Sequence, residues 1–240
     1  MEANYSSAFY SELDQSSKSS AQVLVPILID KYHPNSVVDF GCGSGAFIRE
    51  FLLNKVNDVI GIEGDWILDL EFVRNEKWLQ VSDLNYELEL NRRVDLALCL
   101  EVAEHLDERN AHKLIRSLTL ASDRIVFSAA IPGQPGTDHI NLQYPEYWTD
   151  IFHMNGYSLE WDPRPSIWGK KEIAPWYKQN MLVYSKQLDI NRSIIYPNRM
   201  FHPTIFPKVA PWPAKVAYSL KRAVRRIEAR SLFHRNHESN

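Results

Sequence analysis

The stretch VVDFGCGSGAF, residues Val37–Phe47, joins a short apolar run to the first residues of a predicted helix. It fits two glycine patterns at once: GxGxxA from Gly41, which is typical of dinucleotide sites, and DxGxGxG from Asp39, in which an acid precedes the glycines. Both patterns need a strand that ends in a tight turn and a helix whose N-terminus faces a ligand. The stretch therefore predicts a ligand site and leaves the ligand open.

Strands and helices alternate along the chain on both sides of this turn. Short apolar strands are predicted at residues 37–40, 58–62, 78–81, 94–100 and 124–129, and helices at residues 21–32, 46–54 and 110–120. A helix at residues 145–154 and two closing strands at 157–162 and 180–184 follow, and the closing pair suits an antiparallel finish. The alternation predicts an α/β fold with a doubly wound, mostly parallel sheet and a ligand at the carboxyl ends of its strands.

Acidic residues follow the predicted strands. They are Asp39, Glu63 with Asp65, Asp83, and Glu101 with Glu104. Two like charges about 4 Å apart repel by roughly 4 kcal/mol at an effective dielectric constant near 20, so Asp39 is a poor neighbour for a pyrophosphate. This disfavours a nicotinamide oxidoreductase. S-adenosylmethionine carries a sulfonium, an ammonium and no phosphate, so the acidic crevice favours it.

Four segments, VVDFGCGSG, GIEGD, VSDLN and DLALCLEVAEHL, resemble in order the motifs of class I S-adenosylmethionine-dependent methyltransferases, over about residues 20–186. The resemblance implies a Rossmann-like, seven-stranded sheet whose last strand is antiparallel. It also implies a cofactor site: Asp39, Gly41, Gly43 and Gly45 around the methionine part, Glu63 at the ribose hydroxyls, Asp83 at the adenine amine and Glu101 at the methionyl end. The neighbouring Cys42, Gly64 and Leu84 belong to the same predicted site.

A second likeness concerns the acceptor of the methyl group. The segments SSAQVLVPILIDKYHPNSVVDFGCGSG, SAAIPGQPGTDHINLQYPEYW and APWYKQNMLVY resemble a bacterial methyltransferase group associated with glycosyltransferases and polysaccharide synthesis. The acceptor of that group is poorly defined, so the likeness says little about the substrate. The leading hypothesis is methyl transfer to a hydroxyl of a saccharide or small metabolite, and the fold also supports nitrogen and carbon acceptors. The group reads NEQ where this chain has Asn141-Leu142-Gln143, so an acid is missing at Leu142. A non-catalytic, cofactor-binding assembly subunit is therefore kept as an alternative.

The catalytic candidates are His105 and His139, together with Glu104, in loops that should open over the transferred methyl group. Methyl transfer requires a positioned nucleophile and removal of its proton, which an imidazole can accept near neutral pH. Both histidines are equally compatible with packing roles. Trp168 and Trp176 are the aromatic side chains expected near the acceptor, with packing as the alternative.

A metal ion is an open question at this site. The sequence ExxEH from Glu101, followed by His139, is similar to a divalent-metal site in small-RNA 2′-O-methyltransferases, and its first part occurs in ubiquinone O-methyltransferases. A metal-assisted 2′-O-type methyltransferase on a nucleic acid is therefore another alternative. ExxEH is also common in metal-free methyltransferases, so S-adenosylmethionine is the expected cofactor and a divalent metal is not expected.

Composition sets the remaining expectations. The chain has 240 residues, 45% of them hydrophobic, and its only cysteines are Cys42 and Cys99, which argues against a disulfide scaffold and favours the cytoplasm. Residues 1–186 are predicted as the cofactor-binding domain, and residues 187–240 as a Pro-rich connection and a basic amphipathic tail. Residues 208–240 carry a net charge of +6, against −9 for residues 1–207. This tail predicts weak contact with a membrane surface, while nucleic acid is not an expected partner and the oligomeric state stays open.

Overall fold

A seven-stranded mixed sheet organises the computed structural model, which describes residues 7–71, 73–187 and 194–206. The strands are β1 Ser36–Phe40, β2 Asp58–Glu63, β3 Leu79–Val81, β4 Leu96–Leu100, β5 Arg124–Ser128, β6 Tyr157–Trp161 and β7 Leu182–Lys186. Their order is β3-β2-β1-β4-β5-β7-β6. Strands β1 to β5 are parallel, and β7 is antiparallel to both β5 and β6. The predicted doubly wound α/β sheet with an antiparallel last strand is confirmed.

Two central strands place the ligand crevice. All five residues of β1 are buried, as are all five of β4, which explains their continuous apolar sequences. Strand β1 pairs with β2 on one side and with β4 on the other, so the strand order reverses at β1. Crevices at such reversals, beyond the carboxyl ends of the strands, are where open α/β sheets bind ligands.

Helices cover both faces of the sheet. They are α1 Ser7–Tyr32, α2 Ala46–Leu53, α3 Glu108–Ala121, α4 Pro145–Met154, α5 Arg164–Ile167 and α6 Pro175–Asn180. Apolar side chains of α1 and α2, such as Leu24 and Phe51, pack against one face of the sheet. Those of α3 and α4, such as Leu114 and Phe152, pack against the other. The two layers bury the central strands and leave the carboxyl ends of the strands free to form a site.

Two elements differ from the sequence prediction. Helix α1 begins at Ser7 and includes Pro26, whose side chain is exposed on the outer side of the helix. A proline there leaves one backbone carbonyl without its helical partner, and water can satisfy a carbonyl on an exposed face. Asn180 was predicted to start the last strand, but it ends helix α6, and β7 begins at Leu182. Pro175 at the first turn of α6 is the local cause, because proline is favoured at a helix start.

The C-terminal region is described only in part. Residues 194–202 belong with the sheet and its helices in one compact unit, and the described residues 203–206 belong to a second unit. The predicted basic tail at residues 208–240 lies outside the described residues, and the boundary at residue 186 remains a prediction. None of the described helices combines the length and apolarity that crossing a bilayer requires.

Candidate active site

A cavity of about 1260 Å³ opens at the carboxyl ends of β1 to β4. Carboxylate side chains dominate its charge, and among the described residues neither Lys nor Arg lines it. The seven carboxylates are Asp39, Glu63, Asp65, Asp83, Glu101, Glu104 and Asp138. The structure thus brings together the six acids that the sequence places at strand ends and adds Asp138 from the loop after β5. A cavity of this charge attracts cations and repels phosphate groups.

The glycine turn forms the floor of the cavity after β1. Gly41, Gly43 and Gly45 have φ values of 78°, 52° and 80°, in the left-handed region that favours glycine. A Cβ on Gly41 would lie 2.3 Å from Val102, and one on Gly45 would lie 2.4 Å from Trp78. A Cβ on Gly43 would meet no atom within 4 Å, because this residue faces the open cavity. Gly43 is therefore the point where a ligand can approach the backbone.

Glu63 at the end of β2 is fixed beside this turn. Its Oε2 accepts a hydrogen bond of 2.8 Å from the backbone N–H of Gly43, and its Oε1 accepts one of 2.9 Å from the N–H of Gly64. The indole of Trp66 donates a third, at 3.2 Å. Burial raises the pKa of Glu63, whereas these donors oppose the rise because they stabilise the carboxylate. The carboxylate joins β1 to β2 and can still accept further hydrogen bonds from a ligand.

Asp39 is the most deeply placed acid of the turn, with only 3% of its surface exposed. Burial, followed by the nearby charge of Glu63, raises its pKa to about 7. Cys42 is also buried and lines the cavity, and burial, followed by the charges of Asp39 and Glu63, raises the pKa of its thiol, so it stays protonated. Asp39 is therefore partly protonated near pH 7, and a bound cation would favour its ionised form.

The opposite end of the cavity is formed by residues after β3. The Oδ1 of Asp83 accepts hydrogen bonds from the backbone N–H of Asn85 at 2.9 Å and from its side-chain amide at 2.8 Å. These bonds close a local turn that fixes an exposed carboxylate at the rim. Leu84 beside it is buried and gives this end an apolar wall. A planar heterocycle with an exocyclic amine matches such a combination.

Glu101 follows β4 with a φ of 58°, which is unusual for a residue other than glycine. Its carboxylate accepts hydrogen bonds from the amides of Asn180, at 3.0 and 3.3 Å, and of Gln134, at 2.9 Å. Burial raises the pKa of Glu101, and the amide donors oppose this rise. Strained backbone that surrounding contacts hold in place is common at functional sites.

Glu104, His105 and His139 meet at the acceptor side of the cavity. One carboxylate oxygen of Glu104 and one ring nitrogen of each histidine lie within 4.8 Å of one another, and the two imidazole centroids are 4.9 Å apart. Burial lowers the pKa of both histidines, that of His139 to about 4, so both are neutral near pH 7. Burial, followed by the charge of Glu101, raises the pKa of Glu104 well above its usual range. The structure therefore brings the three catalytic candidates together, and their catalytic role stays a prediction.

This group contains two atoms that lack a partner. Glu104 is fully buried and its Oε1 accepts a hydrogen bond from the N–H of Ala130 at 3.1 Å. In the described part of the chain, its Oε2 and the Nδ1 of His139 are buried without a hydrogen-bond partner. The carboxylate of Glu104 and the two imidazoles are three ligand groups that could hold a divalent ion. Glu101 is not part of this group, and both its carboxylate oxygens accept from amides, so the ExxEH alternative is represented by three of its four candidate ligands.

Several residues of this region were not singled out by the sequence. Gln134, Gln179 and Asn180 form a buried amide cluster around Glu101, and Ser17 lines the cavity. Amide and hydroxyl side chains follow no periodicity that would mark them, and they come from distant parts of the chain. The Pro/Gly-rich loop that contains Gln134 was the one available signal.

The remaining predicted acceptor residues divide into two groups. Trp176 lines the cavity as expected, whereas Trp168 packs against His202 at a centroid distance of 5.0 Å and is not among the described residues lining the cavity. Leu142 is 3% exposed and also lies outside that lining. The missing acid at Leu142 is therefore not a gap in the wall of the cavity.

The fold is similar to that of solved S-adenosylmethionine-dependent methyltransferases. An amino pentose methyltransferase from Micromonospora echinaspora with bound S-adenosylmethionine has a TM-score of 0.56 at 14% identity, over 78% of this chain and 100% of that chain. For the magnesium protoporphyrin IX methyltransferase of Synechocystis with bound S-adenosylmethionine, the TM-score is 0.54 at 18% identity, over 77% and 87%. The methyltransferase domain of the bacterial protein CtHen1 gives 0.52 at 18%, over 71% and 98%.

At these identities the likeness establishes the fold. No protein-family model and no curated protein matches the sequence. The three related structures carry different names and, where the names state a substrate, different substrates, so the acceptor of this chain has to be inferred from its own cleft.

Proposed function

We propose that the protein transfers the methyl group of S-adenosylmethionine to a hydroxyl of an uncharged acceptor, such as a saccharide or a small metabolite. One observation carries the proposal: a cavity lined by seven carboxylates and, among the described residues, by neither Lys nor Arg, at the glycine turn of a methyltransferase fold. S-adenosylmethionine brings two positive groups to this place and no phosphate. A nicotinamide dinucleotide would bring two phosphates next to Asp39, which the local charge disfavours.

The cofactor would lie across the strand ends with its adenine towards β3. In this arrangement the ribose hydroxyls donate to Glu63 and the adenine amine donates to Asp83, since carboxylates are the natural acceptors for both. Gly43 admits the methionine part close to the backbone, and Glu101 and Asp39 face its positive groups. The charged ligand favours the ionised form of Asp39, so binding should release protons near neutral pH.

The acceptor would enter beside His105 and His139. A lone pair of its oxygen attacks the methyl carbon in line with the carbon–sulfur bond, and the electron pair of that bond passes to sulfur, leaving neutral S-adenosylhomocysteine. The hydroxyl proton becomes strongly acidic as the new bond forms, so a neutral imidazole of low pKa can accept it. Both histidines are base candidates on this account, and His139, whose pKa is lowered to about 4, is unprotonated at any physiological pH.

The charge of the cleft argues against nucleic acid as the acceptor. Proteins bind nucleic acids chiefly through Lys and Arg contacts to phosphates, and among the described residues of the cavity lining there are none. Glu104, His105 and His139 remain a three-donor group that could bind a divalent ion and lower the pKa of an acceptor hydroxyl. The proposed reaction does not require that ion, because sulfonium leaving groups are already activated.

Calorimetric titration of the purified chain with S-adenosylmethionine, S-adenosylhomocysteine and NAD⁺ tests the cofactor assignment. We expect micromolar affinity for the first two and no binding of NAD⁺, and the opposite pattern would overturn the proposal. Formation of S-adenosylhomocysteine in the presence of neutral glycosides then tests turnover. Tight cofactor binding without turnover on any acceptor would favour the non-catalytic assembly subunit.

A cytoplasmic location and a weak membrane contact through residues 208–240 are further proposals, supported by the cysteine usage and by the charge of that segment. Sedimentation with anionic liposomes tests the contact. The full chain should sediment in low salt, whereas a variant with the five arginines of residues 222–235 replaced by glutamine should not. Equal sedimentation of both would contradict the proposed contact.

A further inference from the structure

The carboxylate of Glu101 is held by a fixed set of side-chain amides. Asn180 and Gln134 donate to it, and the Oε1 of Gln134 accepts from the amides of Gln179, at 2.9 Å, and Asn180, at 3.0 Å. Because two donors face the oxygen of Gln134, its N–H group has to point at Glu101. All three amide side chains are buried, so water cannot replace a lost partner without reorganisation.

The amide cluster continues to the segment that follows the sheet. The Oε1 of Gln179 accepts a hydrogen bond of 2.8 Å from the backbone N–H of His202. The backbone of Gln179 is held as well, because its carbonyl accepts a hydrogen bond of 3.2 Å from the guanidinium of Arg164. A chain of direct hydrogen bonds therefore runs from His202 through Gln179 and Gln134 to Glu101.

Arg164 ties the same segment down a second time. Its side chain is fully buried, forms a salt bridge of 2.6 Å with Asp162 and donates to the backbone carbonyl of Asn198 at 2.8 Å. The ring of Trp168 also packs against His202. Burying a guanidinium costs desolvation free energy. Besides the bonds to Asp162, the N–H groups of Arg164 donate to the backbone carbonyls of residues 179 and 198.

We propose that residues 198–202 are a positioning element of the cofactor site, which acts through Gln179 and Gln134 to orient Glu101 towards the methionyl end of the cofactor. The inference rests on the proposed function, because it assumes that Glu101 faces that end. A carboxylate must be oriented accurately to bind an ammonium group, and Glu101 has a φ of 58°, an unfavourable backbone conformation that persists only where surrounding contacts hold the residue. The segment beyond the sheet thus contributes to cofactor affinity without contacting the cofactor.

The substitution His202→Pro in the full chain tests this inference. It removes the N–H that Gln179 accepts, and Pro203 already biases residue 202 towards extended backbone, which proline also adopts. His202→Ala is the matched control, because it removes the ring and keeps the N–H. We expect S-adenosylhomocysteine to bind His202→Pro about three- to tenfold more weakly than His202→Ala, the effect of one buried hydrogen bond.

A second ligand separates positioning from a general loss of structure. 5′-Methylthioadenosine has the adenosine and the sulfur but lacks the amino acid part, so its affinity should be equal in His202→Pro, His202→Ala and the wild type. Glu101→Gln should show the same selective loss for S-adenosylhomocysteine. His202→Pro combined with Glu101→Gln should then lose less than the sum of the two single changes.

The outcomes are distinct. The inference would be overturned if His202→Pro kept the affinity of His202→Ala for S-adenosylhomocysteine, or if it lost affinity equally for both ligands. A wild type that binds neither ligand would overturn the proposed function instead. If His202→Pro fails to fold, Gln179→Leu and Arg164→Lys provide the same comparison. Gln179→Leu removes the amide link directly, and Arg164→Lys keeps the charge beside Asp162 but loses the fork that reaches both backbone carbonyls.

Discussion

The substitution Asp39→Asn should stabilise the unliganded protein near pH 8 and weaken its affinity for S-adenosylmethionine. Burial, with the charge of Glu63 as the second cause, raises the pKa of Asp39 from 3.8 to about 7 in the folded chain. A difference of about 3 pH units corresponds to about 4 kcal/mol of unfolding free energy, at roughly 1.4 kcal/mol per unit. Ionised Asp39 costs the folded state this much above pH 7. An amide of the same size carries no charge to desolvate.

The dependence on pH has a definite sign. Below the unfolded pKa of 3.8 the carboxyl is protonated in both states, so the substitution should change the free energy of unfolding little. Between that value and about 7, the unfolded chain ionises and the folded chain does not, so the wild type loses stability relative to the variant. The difference should level off above the folded pKa. Urea unfolding at several pH values from about 4 to 8 measures it.

The control for this experiment is Asp69→Asn, the same chemical change at an exposed acid outside the cavity lining. Its effect on unfolding should be small, because the side chain is exposed and lies outside the cavity. Calorimetry at pH 8 should show that Asp39→Asn weakens the binding of S-adenosylmethionine by about 1 to 3 kcal/mol, the scale for removing a charged partner. A variant that is less stable than the wild type at pH 8, or a stability difference that does not vary with pH, would refute the reasoning.

Three further predictions concern the rest of the site. Glu63→Ala should weaken cofactor binding by about 1 to 3 kcal/mol in calorimetry, because it leaves the Gly43 N–H and the ligand without their acceptor, and wild-type affinity would remove Glu63 from the site. Once an acceptor is known, His139→Ala should lower kcat with little change in cofactor affinity. Wild-type turnover should fall only as the pH approaches about 4, and a pH–rate profile with its midpoint near 6.5 would exclude His139 as the base. Treatment with EDTA should leave turnover unchanged, because Glu101 accepts from amides and is not part of the group formed by Glu104, His105 and His139. A loss of turnover that Mn²⁺ restores would show that a metal takes part.

The parts of the site that could be predicted from sequence are those that local rules determine. Gly41, Gly43 and Gly45 stand where the backbone takes positive φ, which few other residues tolerate. Asp39 and Glu63 belong to adjacent parallel strands, so the sheet brings their ends together whatever the rest of the chain does. Strand, turn and helix are each encoded within about ten residues, and the order of the strands follows from their alternation with helices.

The parts that could not be predicted depend on contacts between distant residues. Glu101 is separated by 79 positions from Asn180 and by 33 from Gln134. An amide side chain has no preferred secondary structure that would announce such a partner, and Asn180 was assigned to a strand although Pro175 begins a helix there. Trp176 was expected near the acceptor, but the helix from which it and Tyr177 reach the cavity was not predicted.

The energetics of the cleft explain why its acids point to a cationic ligand. Burial raises the pKa of Asp39, Glu63, Glu101 and Glu104, so each opposes folding at neutral pH to the extent that it is ionised. Their hydrogen bonds to Gly43, Gln134, Asn180 and Ala130 recover only part of this cost, whereas the apolar residues a few positions earlier in the same strands carry no such cost. A ligand that carries positive charge into the cavity reverses this cost, and its binding stabilises the folded state in proportion to its affinity. An S-adenosylmethionine site of this kind is therefore expected to lower the stability of the unliganded protein. A ligand that carries positive charge and no phosphate is expected to restore that stability.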